Sequence, residues 1–299
     1  MQWLLRSTLL LVVAGLALSV YGFSHFQPAR PMVGKSGVVP VEGRRVGYAL
    51  TGQGPTVVLL ASAGRSASDF NELIAALDAA GYRSLAIEAP AAGRSDPLED
   101  PEVSLHVLAG DVAAVLDVVG PDPETPVFLL GHAFGNRVAR AFATDFPGRV
   151  RAMMLLASGG RVPPEIDVEE AFQTIFSSPP LPDAQRIPVI QEAFFAGDNR
   201  VPDYWVGGWH PLTLLTQTRA TTQTPIESWW DGGSAPILIL QPRDDVLAPP
   251  GNAELLRRAF PERVRVIEIP EAGHALLPEQ PKILARVIVD YLDAYTQED

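Results

Sequence analysis

The chain has 299 residues, 47% of them hydrophobic and 19% charged, enough apolar material for one large α/β domain or two small ones and unlike a disordered type. Its 23 Lys and Arg against 35 Asp and Glu give a net charge of −12, which disfavours nucleic acid and anionic membrane surfaces as partners. No cysteine is present, so disulfides, thiolate nucleophiles and Cys-ligated metals are excluded too.

The N-terminal stretch MQWLLRSTLLLVVAGLALSVYGF sets Arg6 ahead of an uncharged apolar run over residues 7–20. That length suits the apolar region of a signal peptide and is short for a spanning helix; adding residues 21–23 or 3–5 lengthens it towards an uncleaved anchor. Residues 1–23 therefore read as a signal peptide or N-terminal membrane anchor. The protein is expected to be exported: periplasmic, secreted or anchored in an inner membrane. Residues 24–37, with Pro28, Pro31 and Gly34, read as a linker.

From Val38 the pattern is regular. VVPVEGRRVGYAL reads as a hairpin turning at Glu42-Gly43. TVVLLA, 56–61, is the continuous β-branched run of a strand buried on both faces of a parallel sheet. Residues 69–80 carry Phe70, Leu73, Ile74 and Leu77 on one helical stripe and stop at Gly81. A strand over 82–90, a helix over 105–119, a strand over 127–130 and a helix over 135–145 follow. Further strands are expected at 150–157, 236–241 and 264–269, with a last helix at 281–295. Strands alternating with helices at this spacing indicate βαβ units. The alternation breaks over 159–234, where only helical stretches are evident (168–176, 184–195, 211–222) and four of the five tryptophans collect. We read 159–234 as a helical cap over the ligand face, with Trp205, Trp209, His210 and Trp229 as candidate substrate contacts. The α/β core is then 38–158 and 235–299.

Three loops after strand ends carry the chemistry-bearing residues, where ligands of open α/β sheets bind. VFLLGHAFGNRVAR has the Gly-x-x-x-Gly turn between strand and helix that presents a nucleophile, but its central residue is Ala133, which has no atom able to attack. QPRDDVLAPP offers Asp244 and Asp245, either of which can orient an imidazole. EAGHALLPEQP places His274 between the last strand and the last helix. The order of elbow, acid and histidine is that of a nucleophile–acid–base triad. His132, beside the elbow, reads as structural; His106 sits on a helix without a visible partner. The five scattered histidines suggest no metal set, and Gly52-Gln53-Gly54 precedes a strand and so is no dinucleotide fingerprint.

GHAFG, APAAGRSD (89–96), RDDVLAPP and AGHALLPEQP together make the chain from Val38 to Tyr295 resemble the α/β-hydrolase superfamily. GHAFGNRVAR further resembles bacterial α/β-hydrolase-like proteins that carry Ala at the elbow. The resemblance implies a mostly parallel eight-stranded sheet with helices on both faces and the cap inserted after the sixth strand. It assigns the acid to Asp245, the base to His274 and the oxyanion-hole N–H groups to Ala63 and Phe134. It also marks departures: Ala61-Ser62 stands where the family has His-Gly, and Pro90-Ala91-Ala92-Gly93 replaces P-G-x-G. Three departures around one site favour a natural Ala133 over a single engineered Ser→Ala.

The expected function is hydrolysis of a small, fairly apolar ester-like substrate by a His274–Asp245 general-base pair, without a cofactor or a metal. A ligand-binding protein without turnover, or a serine hydrolase bearing an engineered Ser→Ala, are the alternatives. The expected partner is a small molecule; membrane contact would come only through an uncleaved N-terminus, and the protein would be a monomer or homodimer.

Overall fold

Two residues of left-handed backbone, Glu42 (φ 48°) and Gly43 (φ 83°), turn strand β1 (Lys35–Val41) directly into β2 (Arg44–Thr51), with Val41 paired to Arg44. This is the two-residue hairpin whose twist matches that of its strands. The computed structural model describes residues 30–296, so the expected signal peptide or anchor over 1–23 lies outside the described residues. Among the described residues no helix is long and apolar enough to cross a membrane. The linker expected to reach residue 37 ends sooner, because Lys35 already pairs with Leu50 in β1.

The remaining strands are β3 (Thr56–Leu60), β4 (Arg83–Ile87), β5 (Val127–His132), β6 (Val150–Leu156), β7 (Ile237–Pro242) and β8 (Val264–Ile269). They form one sheet in the order β1-β2-β4-β3-β5-β6-β7-β8, in which β2 runs antiparallel to both neighbours and all other pairs are parallel. Helix α1 (Asn71–Ala79) links β3 to β4, α2 (Leu105–Val119) links β4 to β5, and α3 (Phe134–Asp145) links β5 to β6. Four helices fill the segment between β6 and β7: α4 (Val168–Ile175), α5 (Asp183–Phe194), α6 (Asp203–Gly207) and α7 (Pro211–Gln223). Helix α8 (Gly251–Ala259), which the sequence pattern did not predict, precedes β8; α9 (Leu276–Glu279) and α10 (Pro281–Thr296) close the chain.

Period-two alternation divides the core. Val58, Leu60 and Leu129 pack with α2, α3 and α8 on one face, while Val57, Leu59, Phe128 and Leu130 pack with α1 and α10 on the other. Both faces of the central strands are dry, which is why β3 and β5 read as unbroken apolar runs. A third cluster joins α4, α5 and α6 through Phe194, Trp205 and Trp209, and takes in Ala275 beside His274.

The link from β5 to α3 is the tightest in the fold. A Cβ on Gly135 would lie 2.0 Å from the Leu60 carbonyl oxygen, and one on Gly131 would lie 2.5 Å from the Gly135 carbonyl carbon. Between these glycines Ala133 is held at φ 49°, ψ −104°, a conformation costly to any residue with a Cβ. Gly135→Ala is therefore expected to destabilise the protein by about 3 kcal/mol or more, because backbone and not a flexible side chain must move. Ala133→Gly is expected to stabilise it by about 1 kcal/mol through relief of the positive φ. Urea unfolding midpoints measure both, and equal midpoints for the wild type and Ala133→Gly would show that the turn is unstrained.

Candidate active site

The loop after β7 buries Asp245, which is 2% exposed. Its Oδ1 accepts the backbone N–H groups of Leu247 (3.0 Å) and Ala248 (2.8 Å). Both carboxylate oxygens lie 3.0 Å from His274 Nδ1, so the imidazole is held in the tautomer that carries its proton on Nδ1. Asp244 is exposed and contributes its backbone N–H to the Ala272 carbonyl (3.0 Å), so the structure pairs Asp245 and not its neighbour with the histidine. His274 and Ala133 both line a cavity of about 450 Å³. Ala63 and Phe134 line it as well, and among the described residues neither backbone N–H donates to a protein acceptor. Two unspent donors, a carboxylate-oriented imidazole and a methyl group at the elbow thus face one space.

These features match a known family. The model of the alpha/beta hydrolase family matches residues 57–287. The chain belongs to the alpha/beta hydrolase family. Its relative from Burkholderia cepacia, a 2-hydroxy-6-oxo-6-phenylhexa-2,4-dienoate hydrolase, is 24% identical over 81% of this chain and 88% of that one. A 2-hydroxy-6-oxononadienedioate/2-hydroxy-6-oxononatrienedioate hydrolase of Dechloromonas aromatica is 34% identical, but the match spans only 35% of this chain and 36% of that relative. Among solved structures, the enol-lactonase of Burkholderia xenovorans superposes with a TM-score of 0.73 at 21% identity, covering 86% of this chain and 100% of that one. At that identity the likeness concerns the fold.

Within this alpha/beta hydrolase, the four residues read from the sequence as substrate contacts lie elsewhere than on the cavity wall. Trp205 and Trp209 are fully buried, and the Arg65 guanidinium sits 4.2 Å and 4.7 Å from their ring centres. Arg65 itself pairs with Asp69 through two contacts of 2.8 Å, so the tryptophans enclose a buried ion pair. Trp229 packs over Arg140 in the main core, 4.6 Å from guanidinium to ring centre. His210 acts through its backbone, its N–H donating to the Gly64 carbonyl (2.9 Å). The physical reason is area: large rings gain most where they lose all contact with water, and a cap needs a core of its own.

What the sequence did not reveal is how the helices between β6 and β7 grip the loops that carry Ala63 and His274. Gly64, next to Ala63, is bonded on both sides by the cap: its carbonyl accepts from His210, and its N–H donates to Gln217 Oε1 on α7 (2.8 Å). Opposite, the Ala275 N–H donates to the Phe194 carbonyl (2.7 Å) at the end of α5. The Glu279 carboxylate accepts from Ala196 N–H (2.7 Å), Gly273 N–H (2.8 Å) and Asn199 Nδ2 (2.8 Å), tying the cap to the turn that carries His274. His132 is structural, as its position beside the elbow suggests: its Nε2 donates to the His274 carbonyl (2.7 Å) from full burial. His106, unassigned by sequence, bridges Asp145 (2.9 Å) and Ser228 (2.9 Å). Among the described residues no group of three or more His, Asp or Glu could hold a metal ion.

Three buried groups near the site titrate abnormally. Loss of hydration, with His274 nearby adding to it, pushes His132 down to about 4, and burial does the same to His210. Burial pushes Glu88, behind Phe134 and Gly135, up to about 7. Between their ordinary values of 6.5 for histidine and 4.5 for glutamate, unfolding lets both histidines take up a proton and makes Glu88 release one. Through these three groups alone the unfolded chain then binds one more proton than the native one (2 − 1 = 1). Their contribution to stability should therefore fall on acidification through this window by about 1.4 kcal/mol per pH unit. Glu88→Gln removes the opposing proton, so the fall should roughly double while stability above pH 7 rises. Chemical denaturation at several pH values tests this, and an unaltered pH slope in Glu88→Gln would refute the role given to that carboxyl.

Proposed function

We propose that this protein is a hydrolase of small ester-like substrates in which the His274–Asp245 pair activates water directly. The observation that carries the reading is the bidentate approach of Asp245 to His274 Nδ1 next to an elbow that has no Oγ. Machinery for orienting a base is complete although the atom it ordinarily deprotonates is missing. The methyl group of Ala133 leaves room for a water molecule between His274 Nε2 and a bound carbonyl. Nε2 takes a proton as the water oxygen bonds to the carbonyl carbon, and Asp245 stabilises the imidazolium. The negative charge moves to the carbonyl oxygen, towards the N–H groups of Ala63 and Phe134. Collapse breaks the bond to the leaving oxygen, which takes the proton back from Nε2. No covalent intermediate forms, which distinguishes this route from acyl transfer through Ser62 on the same cavity wall. The related hydrolases, which by name act on an oxo-dienoate and a carbamate, support a small-molecule substrate. The apolar run behind Arg6 supports export.

Turnover of short-chain esters and lactones is the test. The wild type is expected to be active, His274→Ala to lose about 10²- to 10⁴-fold in kcat/KM, and Asp245→Asn to fall strongly because the tautomer is no longer held. Mass spectrometry during turnover should detect no acyl adduct on the wild type. Activity confined to Ala133→Ser would instead identify a serine hydrolase lacking its nucleophile. Ligand binding without turnover in any variant would identify a binding protein.

A further inference from the structure

Arg137 is the cavity arginine that, among the described residues, is left without an acceptor. Arg65 is paired with Asp69. Arg140 donates to the carbonyls of Asn136 (3.2 Å), Trp230 (3.2 Å) and Gly159 (2.7 Å). Arg186 donates to the carbonyls of Ile175 (3.3 Å) and Val206 (2.6 Å). Arg137, half-buried and on the wall of the active-site cavity, makes no ion pair and no hydrogen bond to a protein acceptor among the described residues. Among the described residues its one partner is the Trp229 ring, 5.7 Å from guanidinium to ring centre, near the outer limit of a useful cation–π contact and no acceptor for its N–H groups. Burial lowers its pKa, as expected of a cation stripped of water without compensation. Such a group is costly unless something in the functional state pairs with it.

Its position gives the missing partner a place. Arg137 lies one helical turn beyond Ala133 on α3, and helical side chains lean towards the N-terminus, here towards the elbow. In a chain of net charge −12, no Asp or Glu among the described residues lines this cavity, whereas Arg137 and Arg161 do. Arg161 lies 3.5 Å from the exposed Glu227 at the surface, which leaves Arg137 as the cavity cation without a counter-charge. Thr218, Thr221 and Thr222 line the cavity too, while Phe172, Phe194 and Leu247 supply apolar wall. The geometry points to a substrate carboxylate bound by Arg137, so that the site takes an amphiphilic monoanion whose apolar part lies along the cap. A single unpaired guanidinium matches a carboxylate, bidentate and singly charged, better than a phosphate dianion. The inference deepens the hydrolase reading and takes its cavity as the substrate site.

Calorimetric titration of the full-length protein with hexanoate and with hexanamide, isosteres differing in charge, tests it. Hexanoate should bind about 10- to 100-fold more tightly to the wild type, the range of a charge-assisted hydrogen-bond pair. Arg137→Gln should bring the two ligands to similar affinity, and Arg137→Lys should retain a reduced preference. Equal affinities in the wild type, no measurable hexanoate binding, or a preference that survives in Arg137→Gln each overturn the assignment. The wild-type comparison and Arg137→Lys decide the matter if Arg137→Gln does not fold. Binding needs no turnover, so a carboxylate preference in a catalytically silent protein would overturn the hydrolase reading and leave this one standing.

Discussion

The close approach of three backbones at the elbow is the constraint on which the site depends. With no Cβ at Gly131 and Gly135, the end of β5, the start of α3 and the carbonyl of Leu60 on β3 come within van der Waals contact. That contact forces residue 133 into a left-handed turn and fixes the cavity floor. It also places the Phe134 N–H at the free end of a helix, beside the loop that carries Ala63. The strain is held whether or not residue 133 can attack anything. An alanine there keeps the architecture of a nucleophile site while supplying only a methyl group.

Around that floor the four helices between β6 and β7 work as a clamp. Their own core, built on Phe194, Trp205 and Trp209, is anchored on the Arg65–Asp69 ion pair, which belongs to the segment after β3 and not to these helices. From this anchor they bond the Ala63 loop through Gly64 and the His274 loop through Ala275 and Glu279. The loops that carry Ala63 and His274 are therefore held from two sides, by the sheet and by the helices between β6 and β7.

Much of this was legible in the chain itself. Unbroken apolar runs such as TVVLLA marked doubly covered strands, and GHAFG, RDDVLAPP and AGHALLPEQP marked the three loops that the structure brings together at Ala133, Asp245 and His274. Asp244 and Asp245 were indistinguishable by chemistry, and a two-residue frame around one turn decided between an exposed carboxylate and a buried one. The tryptophans misled for a physical reason: an aromatic residue in a cap is equally suited to a pocket wall and to a small core, and local sequence carries no term that separates the two.

The sequence by itself determined the sheet, the turn chemistry at residues 42–43 and 131–135, and the residue types available for catalysis, because these follow from periodicity and from the steric identity of glycine and alanine. Only the tertiary structure decided which charges meet. Asp69 neutralises Arg65 four residues away, whereas Arg137, on α3, is left facing a cavity. Pairing of that kind depends on distances set by elements far apart in the chain, and Coulomb energies in a buried site change by several kcal/mol over a few ångströms.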